Sequence, residues 1–569
     1  MTRTRWILTL ALLAVIVCGA WLWWVKPTNV DMAAYAPANS LLYLEANHPV
    51  EIVQSLTRTD AWKIVDQLAG SRRDAGNSWL QRFVGWTGIG PIESVILARS
   101  QIAVVVTDLG TSEEGSDTLR VKPEGAFIIE TKTSERRIRP AVEQALGKLA
   151  EMTYGKPVQR RITRDGVEYL EWTSPEGSRQ IVATITGSVV IVGNTLKSVQ
   201  ECLAVRLGRL PSLKTDQELT RVRSQLGAER ALSFGFVPEA KSARLLAVGV
   251  PVWLGRAPVN SEFQRLISSG AAKVFGSIGW SSTPYMTGIE DRFLISLHPS
   301  VVARLKPSFT QLKQSGQLQQ FLPESADSVT YYRYDNPLTA WQSVKGAVSS
   351  QLDALSAIVF SSLLKSALLS YGIEDPEAFL SVVHPEIATM RLDQNAERSI
   401  LVARIKDQTS LRALLSKTMR ARTTNDSTTV LEDAEGEFAA SLDNELVIMG
   451  SPLDVRQFFD AVQARTSAAA IDSIRKRTFF TPLSSDAIIL TYVNDSDRVK
   501  RFVSAMLTAR GLPPVSDHLL DQSLKDMPAA ATETRFGEHG LERTTRSPLG
   551  QFSTLLPLLI PGRPDVRAP

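Results

Sequence analysis

The sequence predicts an α+β fold, with an N-terminal transmembrane helix ahead of two tandem homologous copies of mostly antiparallel sheet with helices. Three observations predict it. The run from Trp6 to Val25 is apolar and uncharged, a series of strand and helix patterns occurs twice in the same order, and many of the strand-like runs are joined by hairpin turns.

The first element is the apolar run, long enough to cross a bilayer as a helix of roughly 30 Å. Arg3 and Arg5 precede it and only Lys26 follows closely, so residues 1–5 are expected in the cytoplasm and the rest of the chain across the membrane. Trp21, Trp23 and Trp24 then fall at the far interface, as an aromatic belt does. A cleaved signal peptide has a shorter core, and these bulky residues follow Gly19-Ala20 where small ones would mark a cut. The expectation is therefore a single-pass signal anchor over 6–25 in the inner membrane, with the bulk of the chain in the periplasm or cell exterior. Cys18 lies inside that helix and Cys202 far beyond it, so no intrachain disulfide is expected. Val15-Ile16-Val17 lacks the small residue that lipidation at Cys18 would need.

The remaining length suffices for more than one domain. Of the 569 residues, 44% are hydrophobic and 21% charged, the balance of a core-forming chain. Basic residues are scattered in pairs such as Arg72-Arg73, Arg136-Arg137 and Arg160-Arg161 within a net charge of +4. A nucleic-acid partner would call for a basic stripe with interleaved aromatics, so none is expected.

The repeat is legible element by element. Leu41 to Pro49 recurs as Val329 to Pro337, a strand-like run ending at a proline, 288 residues on. Amphipathic helices follow, Val50 to Leu56 and Leu338 to Val344, each opened by proline in the first turn. Thr87-Gly88-Ile89-Gly90-Pro91 answers to Tyr371-Gly372-Ile373-Glu374-Asp375-Pro376, ahead of the apolar runs Ile102 to Val106 and Ile387 to Met390. Ala126 to Glu130 answers to Ile400 to Arg404, each leading into a helix, Arg136 to Leu149 and Ser410 to Met419. Ala183 to Gly193 answers to Ala440 to Gly450, a hairpin with a polar turn that hands over to a helix. Ala231 to Val237 parallels Ala487 to Val493, 256 residues on. Further strands near Ile278 to Gly279 and Arg292 to Leu297 close the first copy.

Within each copy, Ala126 to Leu203 and Ile400 to Val462 are expected to form ferredoxin-like split units. Gly249 to Gly255 reads as an apolar insertion without a counterpart. The boundaries that follow are 30–300 and 321–546 for the two extracytoplasmic repeats, 301–320 for a connecting segment and 547–569 for an apolar tail. In that tail Phe552 to Ile560 is too short and too broken by proline for a second span. It is expected either to pack on the core or to touch the membrane or a partner.

Chemistry is sparse. The five histidines, His48, His298, His384, His518 and His539, fall in no metal-binding spacing. His48 stands where the second copy has Asn336 and reads as a helix cap, while His298-Pro299 and His384-Pro385 read as turns. Esterase, nucleotide-hydrolase and dinucleotide fingerprints are absent, and Gly88-Ile89-Gly90 reads as a turn. The carboxylates Glu113-Glu114 and Asp443 with Glu445 read as polar turns. No catalytic, cofactor-binding or metal-binding residue is nominated, and no cofactor is expected.

The anchored start, the Pro37-Ala38-Asn39-Ser40-Leu41-Leu42-Tyr43 opening strand, Asp216-Gln217-Glu218-Leu219 leading to Ala231-Leu232-Ser233-Phe234, and the duplicated layout together resemble a bacterial family. Its members are single-pass, membrane-anchored envelope proteins with a large duplicated domain of unknown function. The resemblance implies an address and an architecture and supplies no catalytic residues. The functional expectation is a non-enzymatic binding or scaffolding protein of the cell envelope, held to the membrane by its N-terminal helix, with an envelope protein or lipid as partner. The alternatives are an envelope hydrolase or transferase with an unrecognised site between the repeats, and a lipid-handling protein.

Overall fold

Runs such as Val189 to Ile191 and Leu446 to Met449 have no polar side to turn to water, so their strands need cover on both faces, and all of these residues are buried. The computed structural model describes residues 29–68, 96, 98–114, 118–253, 261–309, 318, 326–393, 398–424, 429–463, 486–509, 515–525 and 527–559. Within them the chain is α+β, with a 20-stranded antiparallel sheet and sixteen α-helices. The run from Trp6 to Val25 lies outside the described residues, as do Gly88 and Gly90. Among those described, no helix is long and apolar enough to cross a membrane.

The first ten strands are β1 (Leu42–Ala46), β2 (Gln101–Glu114), β3 (Thr118–Glu130), β4 (Val158–Arg164), β5 (Val167–Thr173), β6 (Gln180–Thr186), β7 (Val189–Gly193), β8 (Ser233–Val237), β9 (Phe275–Tyr285) and β10 (Gly288–Leu297). They lie side by side as β4-β5-β6-β7-β3-β2-β1-β8-β9-β10. The second ten are β11 (Ser328–Arg333), β12 (Val383–Arg391), β13 (Ser399–Ile405), β14 (Met419–Thr424), β15 (Thr429–Asp433), β16 (Ala439–Leu442), β17 (Leu446–Gly450), β18 (Ile489–Val493), β19 (Ala530–Phe536) and β20 (Gly540–Ser547). Their order is β14-β15-β16-β17-β13-β12-β11-β18-β19-β20, strand for strand that of the first ten. The tenth strands join the halves: β10 pairs antiparallel with β20 from Ile289↔Ser547 to Ser296↔Gly540. A half-turn about that seam carries one strand order onto the other.

This order corrects the ferredoxin-like expectation. A split β-α-β unit leaves a single strand between its two parallel strands. Here β7, β6 and β5 all separate β3 from β4, and β4 to β7 return as a meander. The matching glycines at the ends of β7 and β17 have a packing reason. A Cβ on Gly193 would lie 2.7 Å from Val199 and 2.9 Å from the Gly125 carbonyl, and one on Gly450 would lie 2.7 Å from the Ser399 carbonyl.

In the first half α1 (Pro49–Thr57) and α2 (Asp60–Leu68) follow β1, and α3 (Glu135–Tyr154) follows β3. Next, α4 (Leu196–Arg206) and α5 (Gln217–Leu226) lead to β8, α6 (Glu239–Trp253) and α7 (Ser261–Val274) join β8 to β9, and α8 (Pro299–Leu305) leaves β10. In the second half α9 (Pro337–Ser349), α10 (Ala354–Leu369) and α11 (Pro376–Val382) join β11 to β12. There α12 (Gln408–Leu415) follows β13, α13 (Pro452–Gln463) follows β17, α14 (Ser496–Ala509) and α15 (Asp517–Leu524) join β18 to β19, and α16 (Phe552–Leu559) ends the described chain. The expected insertion at Gly249 to Gly255 thus begins in α6, and the pair α6–α7 has its counterpart in α14–α15. Unequal helix lengths hide that match from the sequence. The helix expected to reach Met419 stops at Leu415, and Met419 opens β14. Of the connecting segment 301–320, the part up to Leu305 belongs to α8.

The halves share their cores. Because β1 and β18 run in the same direction, the helices that follow them leave from the same edge of the sheet. Trp62 and Val65 of α2 meet Phe502, Val503 and Met506 of α14, together with Ile289 of β10. The rings of Trp62 and Phe502 are 6.1 Å apart. Phe552 and Leu556 of α16 fill the same cluster, so the described part of the apolar tail packs on this core. At the other edge Val274 of α7 and Val301 of α8 meet Ala347 of α9 and Phe536 of β19. Each fully buried aromatic of this kind contributes roughly 2–3 kcal/mol of transfer free energy.

Candidate functional site

Side chains alternate across a strand, so the two faces of the seam between β9, β10, β20 and β19 carry different chemistry. On the face covered by α5, Leu294 enters the first-half core while Glu290, Arg292 and Arg546 lie beside it. These charges are matched. Glu290 accepts from Arg546 Nε at 2.8 Å and from Arg292 Nε at 2.9 Å, and Arg546 also lies 4.6 Å from the Tyr285 ring centroid. Burial pushes the Glu290 carboxyl up, but its two arginines overcome this and hold it below the usual range. A second matched cation, Arg223 of α5, binds Asp31 at 2.9 Å and Glu45 at 2.7 Å beneath Tyr43, tying the chain before β1 to the core.

The opposite face, under α14, differs. One row across the sheet reads Ser233, Ser282, Asp291, Thr545, Thr532, Thr491, Thr330 and Thr389 from β8 to β12. Ser282 donates to Asp291 Oδ1 at 2.5 Å, Thr532 and Thr545 share a hydrogen bond of 2.9 Å, and Thr330 and Thr491 one of 3.2 Å. Beside it runs a second row: Trp280, Phe293, Arg543, Thr534, Ile489 and Tyr332. Arg543 is exposed and the other five are half-buried, in the middle of a sheet flanked by closed cores at both edges. This row is a half-buried strip between the helices of the two edges. Trp280 lies over Gly235 so closely that any Cβ there would come within 2.2 Å of indole carbons.

Arginine sets the electrostatics of the strip. Arg543 has no hydrogen bond or ion pair among the described residues, and burial first, then the neighbouring Arg498 guanidinium, hold it below the usual arginine range. Arg498 contacts Asp495 Oδ1 at 3.5 Å from the first turn of α14, and Arg501 lies one turn on. Asp291 and Asp495 are only 3% and 4% exposed. Burial raises each to about 6 despite hydrogen bonds or arginines that oppose it, and Asp495 Oδ2 has no hydrogen-bond partner. Near neutral pH both carboxylates are mainly ionised and partly offset Arg498, Arg501 and Arg543. Guanidinium groups bind oxyanions through paired hydrogen bonds, and an indole beside them offers an apolar surface.

The residues weighed in the sequence do not meet here. His48 occupies the N-cap of α1 without a capping side-chain bond and contacts Asn29 at 3.2 Å instead, a correction to the expected cap. Its counterpart Asn336 does cap, accepting from Thr339 N–H at 3.0 Å. His298 precedes α8 as its N-cap, and His384-Pro385 lies in β12 where its register shifts, so neither dipeptide is a simple turn. Glu113 and Glu114 end β2 rather than forming a turn. Asp443 does sit in the β16–β17 turn, accepting from Glu445 and Leu446 N–H. Cys202 is a buried free thiol pushed up to about 12 by desolvation. Among the described residues no group of His, Cys, Asp and Glu could hold a metal ion.

Arg543 was missed because β9 and β10 were not aligned with a second pair. Gly288 and Gly540 open β10 and β20, 252 residues apart, which makes Arg543 the counterpart of Asp291. That exchange of charge was the available signal. Comparison with family models, curated proteins and solved structures finds no match to this chain.

Proposed function

We propose that the chain is a membrane-anchored, extracytoplasmic binding protein of the cell envelope, non-enzymatic, and built from two copies of one α+β unit. Its ligand surface is the half-buried strip under α14. The anchor and address rest on the run from Trp6 to Val25, its flanking charges and the resemblance to envelope proteins. The repeated order of ten strands supports the duplication. The observation that carries the binding reading is Arg543, a guanidinium with no hydrogen bond or ion pair among the described residues, on a sheet whose other face holds Glu290 matched with Arg292 and Arg546. An unmatched, partly desolvated charge costs stability, and a ligand of opposite charge removes that cost.

The test is photo-crosslinking from position 534 in the full-length protein within its native membrane, with position 292 on the opposite face as control. A component captured only from 534 upholds the reading, and equal capture from both positions counts against it. A second reading, an envelope hydrolase or transferase with its site between the halves, is favoured by the two carboxylates near 6 at the seam. Turnover abolished by Asp495→Asn without loss of folding would replace binding with catalysis.

A further inference from the structure

We infer that the first half is docked on the membrane surface, with Arg136 and Arg137 at the start of α3 on phospholipid headgroups, an inference that rests on the anchor in the reading above. The tether carries it. Only Lys26, Pro27 and Thr28 stand between the apolar run ending at Val25 and Asn29. From Asn29 onward the chain is tied to the body. Val30 N–H donates to Gln101 Oε1 at 2.8 Å, and Gln101 Nε2 donates to the Val30 carbonyl at 2.8 Å and to Asn47 Oδ1 at 2.8 Å. Gln101 is fully buried, so this clamp is part of the interior. Lys132 Nζ donates to Asn29 Oδ1 at 2.9 Å, and Met32, Ala33 and Ala36 lie in the first-half core. An extended chain spans at most about 3.6 Å per residue, which keeps Asn29 within roughly 14 Å of Val25. The headgroup layer on one side of a bilayer is itself roughly 5–8 Å thick. The body therefore cannot hang clear of the bilayer, and the part around Asn29 meets the headgroups.

The charge of that part suits a lipid surface. Arg136 and Arg137 follow Lys132 in the first turn of α3, both exposed and without a side-chain hydrogen bond or ion pair among the described residues. The nearest acids are engaged elsewhere: Glu135 accepts from Arg139 at 2.7 Å and from Gly187 N–H at 3.2 Å, and Glu130 from Tyr35 and Lys132 N–H. The second half supplies the control. Eleven antiparallel pairings lead from β3 to β13, so the ends of these two strands lie at opposite edges of the sheet. At the start of α12 the counterpart of Arg136-Arg137 is Thr409-Ser410, which carries no charge. The basic pair thus belongs to the half tied to the anchor and to the edge that the tether holds at the bilayer, where attraction to anionic headgroups adds to the tether.

The test is photo-crosslinking to lipid. Full-length protein carrying a benzophenone side chain at position 136, or at position 409, is placed in nanodiscs of phosphatidylethanolamine and phosphatidylglycerol, irradiated, and analysed for phospholipid adducts by mass spectrometry. Position 136 should give about tenfold more adduct than 409, since the opposite edge stands a strand length, roughly 17–20 Å, farther from the bilayer. Equal yields, or none at 136, overturn the inference. A Gly-Ser insert of about twelve residues after Pro27 adds about 20 Å of reach and should lower the yield at 136 severalfold. An unchanged yield means that the tether does not set the contact, and it overturns the inference as well. Retention of the protein with the nanodiscs through gel filtration is read on the same samples. Protein that is not retained overturns the anchor reading and this inference with it, whereas retained protein without adduct at 136 overturns this inference alone. Should the substitution at 136 fail to fold, position 137, also exposed, carries the same comparison.

Discussion

The two halves of the molecule use the same order of ten strands and solve it with different residues. At the β6–β7 turn the first half uses Gly187-Ser188, whereas the second half turns through Asp443, whose carboxylate accepts two backbone N–H groups. Ahead of the first long helix one half has a non-capping His48 and the other a capping Asn336. At the seam the equivalent positions are a buried aspartate, Asp291, and an exposed arginine, Arg543. Each half is in effect a control for the other. The turn and cap differences are two ways to satisfy one backbone, but the exchange of charge at the seam satisfies nothing that the strand order requires.

The sharpest way to break the comparison is to cut the core the halves share. Phe502→Ala should cost about 3–5 kcal/mol, the range for a fully buried aromatic. Chemical denaturation should still show one transition, and a biphasic curve would mean that the halves fold as separate units. Next in size is Gly235→Ala, which forces the Trp280 ring off the strip at a cost of about 1–3 kcal/mol, seen as a change in indole fluorescence. Unchanged fluorescence and stability would remove Trp280 from the strip.

Asp291 tests the seam through pH. Its carboxyl is raised from 3.8 to about 6, so the folded state binds the proton more tightly than the unfolded chain. Its contribution to stability is therefore fully present below about 3.8 and is lost as pH rises through about 6. Between those limits the loss is on the order of 2 kcal/mol, and Asp291→Asn should flatten that part of the stability profile. Asp495 titrates in the same window, so part of the slope should persist. The smallest effects sharpen the comparison at the caps. Asn336→Ala should cost about 1 kcal/mol, while His48→Ala should stay within about 0.5 kcal/mol, both read from denaturation midpoints. Equal costs would mean that the caps are equivalent after all.

Much of the fold was legible in the chain, because hairpins, prolines at helix starts and close-approach glycines are local demands. Pro49 and Pro337 open α1 and α9, and Gly193 and Gly450 end β7 and β17, as the repeat predicts. The match of α6–α7 with α14–α15 was not legible, since helices joined by loops of different length keep no register in sequence. The candidate site was illegible for a similar reason. Arg543 and Arg498 are 45 residues apart, and neither belongs to a spaced motif.

The sequence by itself determined the hairpins and proline-opened helices that recur in both halves, the apolar run expected to anchor the chain, and the scarcity of histidine. Periodicity, turn chemistry and composition are written residue by residue. Only the tertiary structure decided that the halves share one sheet and interlocked cores, that Glu290 satisfies Arg292 and Arg546, and that Arg543 has no partner among the described residues. Whether a charge is compensated depends on which strands lie side by side and which helix covers them, and that is set by long-range packing rather than by neighbours in the chain.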